Sequence, residues 1–186
     1  TIGKADASCS VTGYTDPYTG LSHSATGSCT GVGGATDVLA GLSLSGTSHT
    51  NVGVYYDTWT FTDVTGNYNN QGPTGVTDTI NAVALSITAD NKAKTFGGST
   101  PSFTLSYSGF VNGETAAALG GSPVFTFAGN SPTVYGPSTT VPTNAGSYSN
   151  TPSGLTSSNY TISFHAGTYT IGKADASCSV TGYTDP

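Results

Sequence analysis

The seventeen residues TIGKADASCSVTGYTDP, from Thr1 to Pro17, recur without a single change from Thr170 to Pro186. Exposed strand positions tolerate many substitutions, so independent segments would not agree at every one; the offset of 169 residues between Thr1 and Thr170 is a period. The chain therefore reads as one full repeat plus the start of the next, with 173–186 a copy of 4–17, taken from a longer array. The lack of an initiator Met, a signal peptide or a long apolar run agrees with an excised piece.

A weaker repeat lies inside the first. TNVGVYYDTWTFTDVTGNY from Thr50 and TNAGSYSNTPSGLTSSNY from Thr143 share T-N-x-G-x-Y and a later Asn-Tyr pair. DTI at Asp78–Ile80 then aligns with YTI at Tyr169–Ile171. Two related modules follow, 1–82 and 83–172, with 173–186 opening the next copy. Each is long enough for a small core of its own, since it is domains below about 40 residues that usually need staples.

The hydrophobic pattern has a period of two. Phe103, Leu105 and Tyr107 alternate with Thr104, Ser106 and Ser108, and Tyr55, Trp59 and Phe61 alternate with Thr58, Thr60 and Thr62. Ile162 with Phe164, and Tyr169 with Ile171, continue it. Alternation of this kind marks half-buried strands of antiparallel sheets. With 26 Gly, 11 Tyr, no Met and 8% charged residues, the chain is rich in strand and turn formers and poor in helix formers. Short strands between Gly, Asn, Asp and Pro turns predict an all-β protein of two tandem immunoglobulin-like antiparallel β-sandwiches.

Charge excludes whole classes of partner. There is no Arg, the only cationic side chains besides His are Lys4, Lys92, Lys94 and Lys173, and the net charge is -6. A stripe that neutralises phosphates cannot be built from these, so neither nucleic acid nor an anionic membrane surface is an expected partner, and no segment is expected to insert into a membrane.

Three cysteines become two per period, Cys9 and Cys29, because Cys178 is the next repeat's copy of Cys9. TDPYTGLS between them favours a reversal, and a hairpin centred near Thr19 would set Cys9 opposite Cys29. A cross-strand disulfide is expected, with Cys178 pairing to the next repeat's second cysteine; two buried thiols or a metal pair are the alternatives. A disulfide implies an oxidising compartment.

YTGLSHSATGSCTGVGG, HTNVGVYYDTWTFTDVTGNY and GVTDTI in the first module resemble the MBG (mostly beta, glycine-rich) domains of large bacterial surface proteins. ITADNKAKTFG, YSGFVNGETAAAL and GLTSSNYTISFHAGTYTI make the second similar to the other MBG type, which commonly alternates with the first. The resemblance implies stacked immunoglobulin-like modules in a secreted or cell-surface, adhesin-like bacterial chain, and it brings no catalytic residues with it.

Candidate chemistry is sparse, and neither an enzymatic activity nor a cofactor is expected. His23, His49 and His165 are isolated, with no metal-ligand spacing, and read as ordinary polar residues. No G-x-S-x-G elbow occurs, and TGVGGATDVLAG lacks the spacing of a phosphate loop. Asp57, Asp63, Asn67 and Asn69 could offer oxygens to Ca²⁺, although turn roles explain them equally well. Asp57 and Asp78 fall on the apolar parity of their strands, so either a bulge shifts the register or each carboxylate accepts buried hydrogen bonds. Lys4 or Lys92 could close an isopeptide bond, Asn159-Tyr-Thr is a glycosylation sequon, and Trp59 reads as core rather than as a sugar platform.

In an array each unit mainly contacts its neighbours, so length grows with copy number while stability stays local. The sequence therefore predicts a structural repeat of an extracellular filament or adhesin-like stalk, stiff and extended. Its partners would be neighbouring copies along a fibre, in the same chain or by strand exchange. The alternative is a module that binds glycan or a host surface through its loops.

Overall fold

The computed structural model describes residues 2–182; Thr1 and the last four residues of the second copy, 183–186, lie outside the described residues. Fourteen strands carry the fold, with two three-residue 3₁₀ turns at Gly34–Thr36 and Ala116–Ala118. They are β1 (Ser8–Thr12), β2 (Thr15–Pro17), β3 (Thr26–Thr30), β4 (Val38–Leu39), β5 (Leu42–Ser43), β6 (Gly53–Phe61) and β7 (Gln71–Asn81) in the first half. The second half holds β8 (Val83–Ala89), β9 (Lys92–Thr95), β10 (Leu105–Ser108), β11 (Gly120–Gly129), β12 (Gly146–Thr156), β13 (Tyr160–His165) and β14 (Gly167–Gly172).

Each half builds a three-stranded and a four-stranded sheet, in the orders β1-β3-β4 and β2-β7-β6-β5, then β10-β8-β13 and β11-β12-β14-β9. Both four-stranded sheets follow one plan. A central antiparallel pair is flanked on one side by an early strand running parallel to the last, β2 beside β7 and β9 beside β14. The registers also coincide: Gly53, Tyr55 and Asp57 face Ile80, Asp78 and Val76, while Gly146, Tyr148 and Asn150 face Ile171, Tyr169 and Gly167. The internal repeat seen in the sequence is thus a repeat of strand pairing.

In the first half, residues from both sheets meet in one cluster, Cys29 and Leu39 from the smaller sheet with Trp59 and Phe61 from the larger, joined by Ala7 and Tyr68. That shared core makes a sandwich. In the second half Phe127, Tyr148, Tyr169 and Ile171 form the cluster, with Phe103, two residues before β10, packed on it. Leu85, Ile87 and Ala89 of β8 are buried on alternate positions, as a half-buried strand requires. The protein is all-β, and its halves are immunoglobulin-like sandwiches.

Two sequence expectations need adjusting. Cys9 and Cys29 do stand opposite each other in the β1/β3 ladder and are disulfide-bonded, but the chain between them is not a hairpin. It leaves the smaller sheet to place β2 against β7 in the larger one before returning as β3. A constant sum of residue numbers fixes which residues pair; it says nothing of the path between them. The expected boundary between residues 82 and 83 also differs from the compact units, because the first unit comprises Thr1–Leu85 together with Gly109–Ala118 and Ser157–Thr161. The second comprises Ser86–Ser108, Leu119–Thr156 and Ile162–Pro186.

The two copies of the opening segment have opposite fates. Thr170–Gly172 complete β14 with Ile171 2% exposed, whereas Ile2, its counterpart, is 101% exposed. Conversely Ser8–Thr12 form β1 with Cys9 in its disulfide, whereas 173–182 form no strand and Cys178 is an exposed free thiol.

Candidate functional site

The inner face of the larger sheet in the first unit carries Tyr55, Asp57, Trp59 and Phe61 from β6, and Val76, Asp78 and Ile80 from β7. Pairing runs unbroken from Gly53 opposite Ile80 to Trp59 opposite Thr74, and the irregularity falls beyond, between Trp59 and Phe61. No bulge therefore turns Asp57 or Asp78 outward. Both carboxylates sit on the core face, and the second of the two sequence readings applies to them.

Asp78 finds its partner 64 positions away at Tyr14, and Asp57 finds His49 eight positions before it. Asp78 is fully buried, and its Oδ1 accepts a hydrogen bond from the Tyr14 backbone N–H at 3.1 Å. Gly13 permits that approach, since a Cβ there would lie 2.1 Å from the Thr77 carbonyl oxygen. Asp57 Oδ2 lies 2.7 Å from His49 Nε2. His49 is held at both ends, by paired backbone bonds to His23 at 2.8 and 3.0 Å and by stacking of its ring on Tyr55 at 3.6 Å. His23 in turn places Nδ1 3.0 Å from Asp16 Oδ2 and Nε2 2.8 Å from Thr19 Oγ1, and stacks on Tyr14.

The electrostatics follow from burial. Loss of water pushes the Asp78 carboxyl above the usual carboxylate range, the neighbouring Asp57 adds to this, and the Tyr14 N–H and His49 oppose it. Burial likewise raises the Tyr14 phenol, reinforced by Asp78, Asp57 and Tyr55. Asp78 Oδ2 is buried without a hydrogen-bond partner.

A second node lies in the same unit. Glu114, the only glutamate of the chain, accepts hydrogen bonds from Tyr18 Oη and Tyr160 Oη, each at 2.5 Å. The bond to Glu114, helped by burial, pushes the Tyr18 phenol up to about 12. Phe110 packs edge-on against Tyr160, and Asn112 Nδ2 donates to the Gly20 carbonyl, so segment 109–118 is tied down along its length. Sequence reasoning passed over Glu114, and its being a lone glutamate was the one available signal.

The other residues singled out in the sequence are dispersed. Asp63 closes a turn by accepting from the Thr65 and Tyr68 N–H groups, Asn69 donates to Asp6, and neither joins Asp57 in a calcium cradle. His165 is exposed on β13, away from the other two histidines in sequence and unit. Lys4 Nζ donates to the Tyr68 carbonyl. Asn159 Oδ1 accepts from the Val52 N–H, a structural use of the sequon residue. Trp59 is 8% exposed and belongs to the core.

In the second unit a groove of about 510 Å³ is lined by Pro132, Val134, Tyr135, Val141, Pro142 and Tyr148, among others. Both tyrosine hydroxyls are turned to the protein, Tyr135 Oη donating to the Thr140 carbonyl and Tyr148 Oη to that of Asn144.

Comparison with known families bears on the stretch that holds this groove. Residues 85–170 match the family described as the MBG domain of the YGX type. This stretch is an MBG domain. The matched range of the MBG domain runs from Leu85 on β8 to Thr170 on β14, taking in every strand from β9 to β13 and the groove just described. No curated protein matches the chain. Among solved structures it is similar to the fibronectin(III)-like modules of Clostridium thermocellum CbhA, at 11% identity and a TM-score of 0.25, over 95% of this chain and 100% of that one. That likeness is too low to carry the fold, which rests on the strand pairing itself. No helix among the described residues is long and apolar enough to cross a membrane.

Proposed function

We propose that the chain is a structural repeat of an extracellular, cell-surface filament or adhesin-like stalk, without enzymatic activity. The observation that carries this reading is the use made of the duplicated segment. Its first residues, Thr170–Gly172, finish the last strand of the MBG domain, and the residues after them repeat those that build β1 and half of the disulfide. One module's end and the next module's beginning are thus written in a single stretch with no spacer. The same economy holds inside the period, where Ala82 alone separates β7 from β8. A chain assembled this way gains length with each copy while every sandwich keeps its own core. The disulfide and the scarcity of lysine, with no arginine, suit an oxidising, protease-exposed setting.

The test is small-angle scattering on arrays of one, two and three periods. A maximum dimension that rises linearly with copy number is expected; a dimension that barely grows would sink the stalk reading. Binding of glycan or a host surface is the second reading, and the groove beside Tyr135 favours it. A glycan array probed with the chain and with Tyr135→Ala separates the two, because only the second reading expects binding that the substitution abolishes.

A further inference from the structure

The first unit holds a group of side chains that a load-bearing sandwich does not need. One nitrogen of His49 and one carboxylate oxygen from each of Asp57 and Asp78 lie within 4.8 Å of one another. We propose that His49, Asp57 and Asp78 bind a divalent transition-metal ion of the Zn²⁺ type. This goes beyond the stalk reading and does not depend on it.

Four observations support the assignment. The donor set is one imidazole and two carboxylates, which suits a borderline ion such as Zn²⁺ better than Ca²⁺, an ion that takes six or more oxygens. Donors around one tetrahedral Zn²⁺ stand about 3.3 Å apart, so a set spread over no more than 4.8 Å closes on an ion with small side-chain rotations. Charge also balances, because two carboxylates and a neutral imidazole cancel a dication. Finally, Asp78 belongs to this group of donors and is fully buried, and its Oδ2 has no hydrogen-bond partner.

The donors are held for the purpose. The Tyr14 N–H fixes Asp78 Oδ1 and leaves Oδ2 for the ion, while Tyr55 stacks on the His49 ring and the backbone bonds to His23 anchor its Cα. Such supporting contacts are what set affinity in metal sites. The second unit supplies an internal contrast. The register that matches Tyr55 with Tyr148 puts Asn150 where Asp57 stands and Tyr169 where Asp78 stands, and the sequence offset at Thr50 and Thr143 puts Pro142 at the place of His49. One ion per period is therefore expected.

The experiment uses the full chain with Cys178→Ser, which removes a competing exposed thiol. After chelation it is titrated with Zn²⁺ by calorimetry and with Co²⁺ by visible absorption. Saturation at a single ion is expected, with His49→Gln and Asp57→Asn each weakening it at least about tenfold. His165→Gln, at an exposed position of the other unit, should leave affinity unchanged. Because a variant can lose the fold, imidazole nitrogen spectra of the unsubstituted His set provide an independent reading: Zn²⁺ must move the His49 signals and leave those of His165. No saturable binding below about 1 mM, equal affinity in His49→Gln, or unmoved His49 signals would each overturn the proposal.

Discussion

The two sandwiches solve one packing problem with different chemistry. At matching positions of the central strand pair the first unit has Tyr55, Asp57 and Asp78, and the MBG domain has Tyr148, Asn150 and Tyr169. Around them the MBG domain gathers an aromatic cluster, with Phe103 in edge contact with Phe127 and Tyr169, and closes without a disulfide. The first unit has a less aromatic cluster, a disulfide and the His49, Asp57 and Asp78 group. The register of the strands is thus independent of what fills the interior, provided the filling is complete. Aromatic area does the work in one half, and a covalent staple with polar contacts does it in the other.

That contrast can be broken by moving chemistry between the halves. Asn150→Asp would place an unpaired carboxylate in the MBG core, where no histidine or free N–H awaits it. Its unfolding free energy should fall by about 3 to 5 kcal/mol at neutral pH and recover on acidification, read by tyrosine signals in denaturant. Trp59, the only tryptophan, reports on the first unit alone and should not respond. Replacing Cys9 and Cys29 together by Ser comes next. With a sequence separation of 20, the loss should be roughly 3 kcal/mol, confined to the Trp59 transition.

Glu114→Gln should cost about 1 to 2 kcal/mol in the first unit, since two phenols then share a neutral acceptor. The Tyr18 phenol should fall from about 12 toward its ordinary value in a spectrophotometric titration. Asp78 carries a pH signature of known sign. Its folded pKa is raised, so its contribution is fully present below the unfolded carboxyl pKa and is lost as pH rises through the folded one. In chelator, the Trp59 transition should strengthen on acidification from neutral pH, and Asp78→Asn should flatten that slope. Asp63 shows the opposite sign and the smallest effect. The Tyr68 and Thr65 donors hold its carboxyl down to about 2, so its contribution is present above the unfolded pKa and fades as pH falls through that value. Asp63→Asn should lower neutral stability slightly and erase this acid-side loss, leaving the variant's stability flat where the parent's falls.

Much of this was legible in the residues. Alternation at Phe103, Leu105 and Tyr107 and at Tyr55, Trp59 and Phe61 marks inner faces because side chains on a strand alternate by geometry alone. Asp57 and Asp78 announced themselves by sitting on that parity. Their partner did not, because His49 reaches Asp57 through a backbone bridge to His23 that exists only once the sheets have assembled. The same holds for Tyr14, whose N–H meets Asp78 across 64 positions of chain, and for Glu114, which meets Tyr18 across 96. The path from Cys9 to Cys29 was misjudged for a related reason, since the pairing of β2 with β7 is parallel and distant, and local turn residues carry no trace of it.

Ile2 and Ile171 occupy the same place in the repeated segment, yet one faces solvent and the other is walled in. In the array proposed above, the seam between modules falls after Gly172, where β14 ends, three residues inside the recurring motif and not at its edge. A gene fragment designed to begin at Lys4 and stop at Gly172 would carry only whole strands, and tandem ligation of such cassettes would join module to module without a scar.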